Sequence, residues 1–174
     1  MKGGRLPMLI TPEYLFSSVS AITPAFLKAK GIAALVLDVD DTLTAHGSQQ
    51  LDEEVETWLG GMRAAGVKMM IVSNNTKSRV SPFAARLGLP FVSMACKPLT
   101  FGLAAARRRF GVKRRQMAIV GDQLFTDRLA ASFFGISALV VSPRGGPARK
   151  DIRFKRVLEQ PFLRRYYQKG GKLL

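Results

Sequence analysis

Short apolar runs rich in β-branched residues alternate along this chain with longer stretches whose apolar residues recur every three or four positions. IAALVLD (32–38) and VKMMIVS (67–73) read as buried strands, and FVSM (91–94) as a weaker third. MAIVGD (117–122) and ISALVVS (136–142) complete five. Between the first two strands, LDEEVETWLGGMRAAG sets Val55, Leu59 and Met62 at helical spacing. Asp52 is its candidate N-cap, acids fill its first turn, and Gly66 is its stop. Residues 76–87, 99–110 and 125–134 predict three more helices, the first bent by Pro82. Strand–helix alternation at this pitch predicts right-handed βαβ units and a parallel sheet with helices on both faces, an α/β fold. Ligands of such sheets bind outside the carboxyl ends of the strands, which directs attention there.

Length and composition add one surprise. A chain of 174 residues with 47% hydrophobic and 22% charged residues predicts one ordinary globular domain. Its net charge of +15, from 27 Lys and Arg against 12 Asp and Glu, implies an anionic partner. The single cysteine, Cys96, excludes an internal disulfide, suits a reducing compartment and reads as a small buried residue. Near the N-terminus YLFSSVSAITPAFL runs fourteen residues without a charge, too short for the roughly 20 residues of a spanning helix and interrupted by Pro24. Pro12 and Glu13 also break any signal-peptide core. The organisation expected is an apolar, partly helical segment 1–31 packed on the domain, a core 32–143, and a basic helical segment 144–174, in a cytoplasmic protein.

Four strand ends carry polar residues suited to one task. The first ends in Asp38-Val39-Asp40-Asp41-Thr42, the second in Ser73-Asn74-Asn75-Thr76; Lys97-Pro98 follows the third, and Gly121-Asp122 ends the fourth with Asp127 five residues on. Taken singly, each has an ordinary reading: an acidic turn, a capping hydroxyl at Ser73, a solvated Lys97, a helix cap or a Lys97 ion pair at Asp127. Together they suit a phosphate ester. Asp38, Asp122 and a backbone carbonyl can hold an octahedral Mg²⁺; Asp38 can attack phosphorus; Asp40 can serve as acid and then base; Ser73 and Lys97 can donate to phosphoryl oxygens. Two residues apart on extended chain, Asp38 and Asp40 lean to the same side, leaving Asp41 as a turn residue.

The hydrophobic strand followed by Asp38-x-Asp40-x-Thr42, then strand-end Ser73, Lys97 and Gly121-Asp122-x-x-x-x-Asp127, resembles the four motifs of the haloacid dehalogenase-like (HAD) phosphatases, over residues 32–141. The resemblance implies a three-layer Rossmann-like core, Asp38 as nucleophile and Asp40 as acid/base. It also implies phosphate contacts from Thr42, Ser73, Asn74 and Lys97, and Mg²⁺ held by Asp38, the Asp40 carbonyl and Asp122 with Asp127 nearby. The wordings ITP, LDVDDTL, VSNN and VGDQLFTD are similar to the subfamily IIIA branch that includes phosphatidylglycerophosphate phosphatase-like proteins, with Asp41 standing where Asn is common.

Neither 42–67 nor 73–97 is long enough for a cap domain, so an open site is expected, one suited to a bulky substrate. Six cations crowd 107–115, and ten Lys or Arg against two acids fill 144–174, interleaved with Phe154, Phe162, Tyr166 and Tyr167. Such a surface suits an anionic bilayer or a nucleic-acid backbone. The expected activity is a Mg²⁺-dependent phosphomonoesterase acting on phosphatidylglycerophosphate at a membrane face. The rivals are a soluble phosphatase for sugar phosphates or nucleotides, and a nucleic-acid-binding protein acting on polynucleotide ends. His46 and Trp58 read as a surface turn residue and a core residue.

Overall fold

The computed structural model describes residues 9–144 and 150–174, the latter with side chains from residue 157 onward. Six strands form one sheet: β1 (Tyr14–Phe16), β2 (Ala34–Leu37), β3 (Lys68–Val72), β4 (Phe91–Val92), β5 (Met117–Gly121) and β6 (Ser137–Val141). Their order is β1-β6-β5-β2-β3-β4, every pairing parallel. The helices are α1 (Pro24–Ala29), α2 (Glu53–Ala64), α3 (Lys77–Leu87), α4 (Phe101–Phe110), α5 (Leu129–Phe134) and α6 (Lys150–Gln168).

The strands are apolar throughout because both faces are covered. In β2, Leu35 and Leu37 point to one core with Val55, Leu59 and Met62 of α2 and Phe83 of α3. Ala34 and Val36 point to a second core with Leu103 and Phe110 of α4 and Phe134 of α5. This two-residue alternation divides the helices into two layers around the sheet. Each fully buried Leu contributes about 1.5–3 kcal/mol. Trp58 closes the first core, its indole Nε1 donating to the Ile22 carbonyl at 2.8 Å.

The helix boundaries follow local chemistry. Asp52 is the extended N-cap of α2, Glu53, Glu54 and Glu56 occupy its first turn, and Gly66 takes φ +74° just past its end. The predicted strands are trimmed at their ends, and two elements are cut short by local backbone geometry. The third predicted strand stops at Val92, since Met94 adopts φ +49° and is exposed. The helix expected from residue 125 begins at Leu129, after a π-turn over Leu124–Arg128.

The apolar N-terminal stretch supplies a strand that its sequence did not announce. Tyr14–Phe16 pairs with β6, and Tyr14 and Phe16 both meet Phe26 of α1 edge-on. The far end of the chain returns to the same edge: Ser17 N donates to Leu174 O at 2.8 Å and Leu174 N to Leu15 O at 2.9 Å. Residues 1–8 and 145–149 lie outside the described residues, so the cation expected at Arg149 does too, as do the side chains of Lys150, Arg153, Lys155 and Arg156. No helix among the described residues is long and apolar enough to cross a membrane. Only α2 and its flanking loops separate β2 from β3, and only α3 lies between β3 and β4, so no cap domain is inserted there.

Candidate active site

The three central strands, β5-β2-β3, end side by side. Asp38 follows β2 and its amide donates to Val120 O of β5 at 2.9 Å. Asp122 follows β5 and Ser73 follows β3, so the topology alone brings two carboxylates and a hydroxyl to one edge. Asp38, Asp40, Thr42, Ser73, Lys97, Asp122 and Asp127 are all buried.

Lys97 joins the group from the loop after β4. Its Nζ stands 3.0 Å from Asp38 Oδ1 and 2.7 Å from Asp127 Oδ1. Backbone turns with φ +49° at Met94 and Cys96 alternate the loop, burying Ala95 and Lys97 and turning Cys96 outward. Cys96 is therefore exposed, contrary to its expected burial. Asn74 fixes this loop: Lys97 N donates to Asn74 Oδ1 at 2.6 Å, and Asn74 Nδ2 donates to Lys97 O at 3.1 Å. Asn74, expected among the phosphate contacts, here holds the backbone of Lys97 in place through its side-chain amide. Thr42, expected beside it, directs its hydroxyl to Asp122 Oδ1 at 3.4 Å. Ser73 Oγ accepts the Asn75 amide at 3.2 Å.

Asp127 reaches the cluster by two local devices. The π-turn over Leu124–Arg128 widens the chain, and π-turns of this kind recur at functional sites. Gly121 permits the approach, because a Cβ there would overlap the Asp127 carboxylate. Asp127 Oδ2 also accepts from Gln123 N and Thr126 Oγ1, each at 3.3 Å. Asp127 therefore pairs with Lys97 and lies beside Asp38 and Asp122.

Burial dominates the electrostatics. It pushes the Asp38 carboxyl up from 3.8 to about 6, against the lowering effect of Lys97 and with a smaller push from Asp127. Burial pulls Lys97 down, yet the carboxylates of Asp127 and Asp38 outweigh it and hold the ammonium above its usual range. Asp38, Asp122 and Asp127 each offer an oxygen within 4.8 Å of the other two. Three hard carboxylate donors against one ammonium form a donor set that fits a divalent cation such as Mg²⁺.

Asp40 stands apart from this cluster. Its Oδ1 accepts from Gly47 N at 2.9 Å and from Arg79 Nη2 at 2.8 Å, and its Oδ2 accepts from Asn75 Nδ2. Arg79 was not singled out in the sequence, and Asn75 was named there only within the run Ser73-Asn74-Asn75-Thr76, without a role. One signal was available: Arg79 is a cation in the first turn of a helix, where acids are favoured. Asp41 takes φ +59°, is buried, and lies 3.5 Å from His46 Nδ1. The six cations of 107–115 lie at the end of α4 and ahead of β5, on the amino-end edge of the sheet, opposite this site.

Residues 23–135 match the family profile of the haloacid dehalogenase-like hydrolases. The chain belongs to that family. Similar proteins include "Probable phosphatase YqeG" of Bacillus subtilis (strain 168), 30% identical over 165 residues, covering 95% of this chain and 96% of that protein. Phosphatidylglycerophosphate phosphatase 1, chloroplastic, of Chlamydomonas reinhardtii is 28% identical over 147 residues, 79% of this chain and 53% of its own. The chain therefore spans about half the length of that relative. Among solved structures, 4-nitrophenylphosphatase of Thermotoga maritima superposes with a TM-score of 0.50 at 14% identity, covering 72% of this chain and 91% of the other, a likeness of fold.

Proposed function

We propose that this HAD phosphatase is a Mg²⁺-dependent phosphomonoesterase that works through an aspartyl-phosphate on Asp38 and takes a lipid-borne substrate, phosphatidylglycerophosphate. The observation that carries the chemistry is the buried Asp38–Lys97–Asp127 group with Asp122 beside it at the carboxyl edge of the sheet. Asp38, Asp122 and the Asp40 carbonyl, with Asp127 nearby, would hold Mg²⁺, which would supply charge that lets an anionic phosphate approach an anionic carboxylate. An Asp38 oxygen bonds to phosphorus as the ester P–O bond breaks. Asp40, entering this step as the protonated acid, gives the departing oxygen its proton. Asp40 then takes a proton from water, whose oxygen bonds to phosphorus as the acyl-phosphate bond breaks, releasing inorganic phosphate and restoring Asp38. Ser73 and Lys97 donate to the phosphoryl oxygens as charge builds on them.

Three observations support a substrate presented by a surface. The site carries no cap, so a bulky molecule can reach it. Met94 and Leu99 in the loop around Lys97, and Phe101 at the start of α4, are all exposed, an apolar rim suited to the headgroup boundary of a bilayer. The matched chloroplastic relative is named for the same lipid phosphate. In this reading the protein works at the cytoplasmic face of a membrane, with the lipid headgroup as ligand.

A substrate panel tests it. Phosphatidylglycerophosphate in mixed micelles should be hydrolysed at least tenfold faster, in kcat/KM, than sugar phosphates, nucleotides or 3′- and 5′-phosphorylated oligonucleotides. A preference for any of the soluble esters or polynucleotide ends overturns the lipid assignment while leaving the phosphatase chemistry intact.

A further inference from the structure

The pair between Arg79 and Asp40 connects segments that are distant in sequence. Asp40 follows β2, Gly47 and Ser48 sit in the loop beyond it, and Arg79 lies in the first turn of α3. One guanidinium nitrogen, Nη2, donates to Asp40 Oδ1 at 2.8 Å and also to the Ser48 carbonyl. From the same loop, Gln49 Nε2 donates to Arg79 O at 3.0 Å. Asn75, just before α3, takes the other Asp40 oxygen. Both carboxylate oxygens are thereby fixed, and the rotation that would let Asp40 swing is blocked from two sides.

This arginine is not placed for the benefit of its helix. The first turn of α3 contains no acid, and a cation there opposes the helix dipole. Its Nε and Nη1 are buried without a hydrogen-bond partner among the described residues, an arrangement that a purely structural side chain rarely keeps. What the position does provide is one nitrogen of a planar guanidinium, Nη2, directed at both a carboxylate and a loop carbonyl. A lysine ammonium, a point charge on a flexible stem, lacks that planar geometry.

We propose that Arg79 is a positioning residue for Asp40, holding its carboxylate and the loop over residues 45–50 in the arrangement that proton transfer requires. The proposal rests on the reading of Asp40 as the proton-transfer group. Arg79 acts on substrate only through Asp40, so its loss is felt in turnover and not in binding. Proton-transfer groups are worth about 10²–10⁴-fold in rate, and misplacement by about 1 Å can cost about 10²-fold.

The experiment compares Arg79→Met, Arg79→Lys, Arg79→Ala and Asp40→Asn on a generic phosphomonoester with Mg²⁺, each checked by thermal unfolding. Arg79→Met should lower kcat by about 10²-fold with KM within about twofold of the parent. Arg79→Lys should recover part of that loss, and added guanidinium should raise kcat of Arg79→Ala several-fold without raising that of the parent. A folded Arg79→Met with parental kcat overturns the proposal, and so does a rise in KM at unchanged kcat, which marks direct substrate binding. Loss without rescue by lysine or guanidinium assigns Arg79 a structural role and equally overturns it. If Asp40→Asn itself keeps full kcat, the failure lies in the role given to Asp40.

Discussion

Replacing Asp38 with asparagine should abolish phosphatase activity and stabilise the metal-free protein. Burial raises the Asp38 carboxyl from 3.8 to about 6, so the fold prefers this group protonated. Stability from such a group is fully present below about pH 4 and is lost as pH rises through about 6. At about 1.4 kcal/mol per tenfold change, the ionised carboxylate costs the folded state up to about 3 kcal/mol near pH 7.5. The side chain is 11% exposed, so residual solvent lowers the expected figure to about 1–3 kcal/mol. Asparagine keeps an acceptor for Lys97 and removes the charge, while Lys97 retains Asp127 at 2.7 Å. Asp38→Asn should therefore melt higher at pH 7.5 in EDTA, by about 2–4 °C per kcal/mol for a domain of this size. Thermal or urea unfolding from pH 4 to 8 checks it: the parent should lose stability across pH 4–6.5 relative to the variant. A variant equal to or less stable than the parent at pH 7.5, or one with the same pH slope, would refute the reasoning.

Other consequences concern the same cluster. Lys97→Met leaves Asp38 and Asp127 buried without their ammonium, so unfolding in EDTA should show a loss of about 3–5 kcal/mol, part of it recovered by millimolar Mg²⁺. Gly121→Ala puts a Cβ into the Asp127 carboxylate and should cost about 1–3 kcal/mol by overpacking, together with a measurable drop in Mg²⁺ affinity by titration calorimetry. Because Asp38 must be ionised to bind a cation, apparent Mg²⁺ affinity should fall by about tenfold per pH unit below about 6 and level off above it. Substituting Ser for Met94, Leu99 and Phe101 together should leave hydrolysis of a soluble ester unchanged and weaken sedimentation with anionic vesicles; unchanged sedimentation would remove the apolar rim from the account.

The strands with two covered faces were readable because every residue from Ala34 to Leu37 is apolar, and α2 because its acids, its spacing and Gly66 agree. The edge strand Tyr14–Phe16 was not, since three residues carry no period and its pairing with β6 is purely tertiary. In the site, motif spacing brought Asp38, Ser73, Lys97, Asp122 and Asp127 together as residues. It could not reveal which partner each side chain would choose. Asn74 and Thr42 turn to Lys97 and Asp122, choices that depend on loop geometry. Arg79 meets Asp40 across 39 residues of chain, and only the packing of α3 against the loop after β2 brings them together.

The central claim is a covalent phosphate on Asp38. The direct measurement is rapid acid quench during turnover with Mg²⁺, followed by borohydride reduction and peptide mass spectrometry, which converts an aspartyl-phosphate to homoserine. The account predicts homoserine at position 38, dependent on substrate and Mg²⁺ and absent when Mg²⁺ is chelated. Turnover with no modification at Asp38, or with modification at another carboxylate, would contradict it.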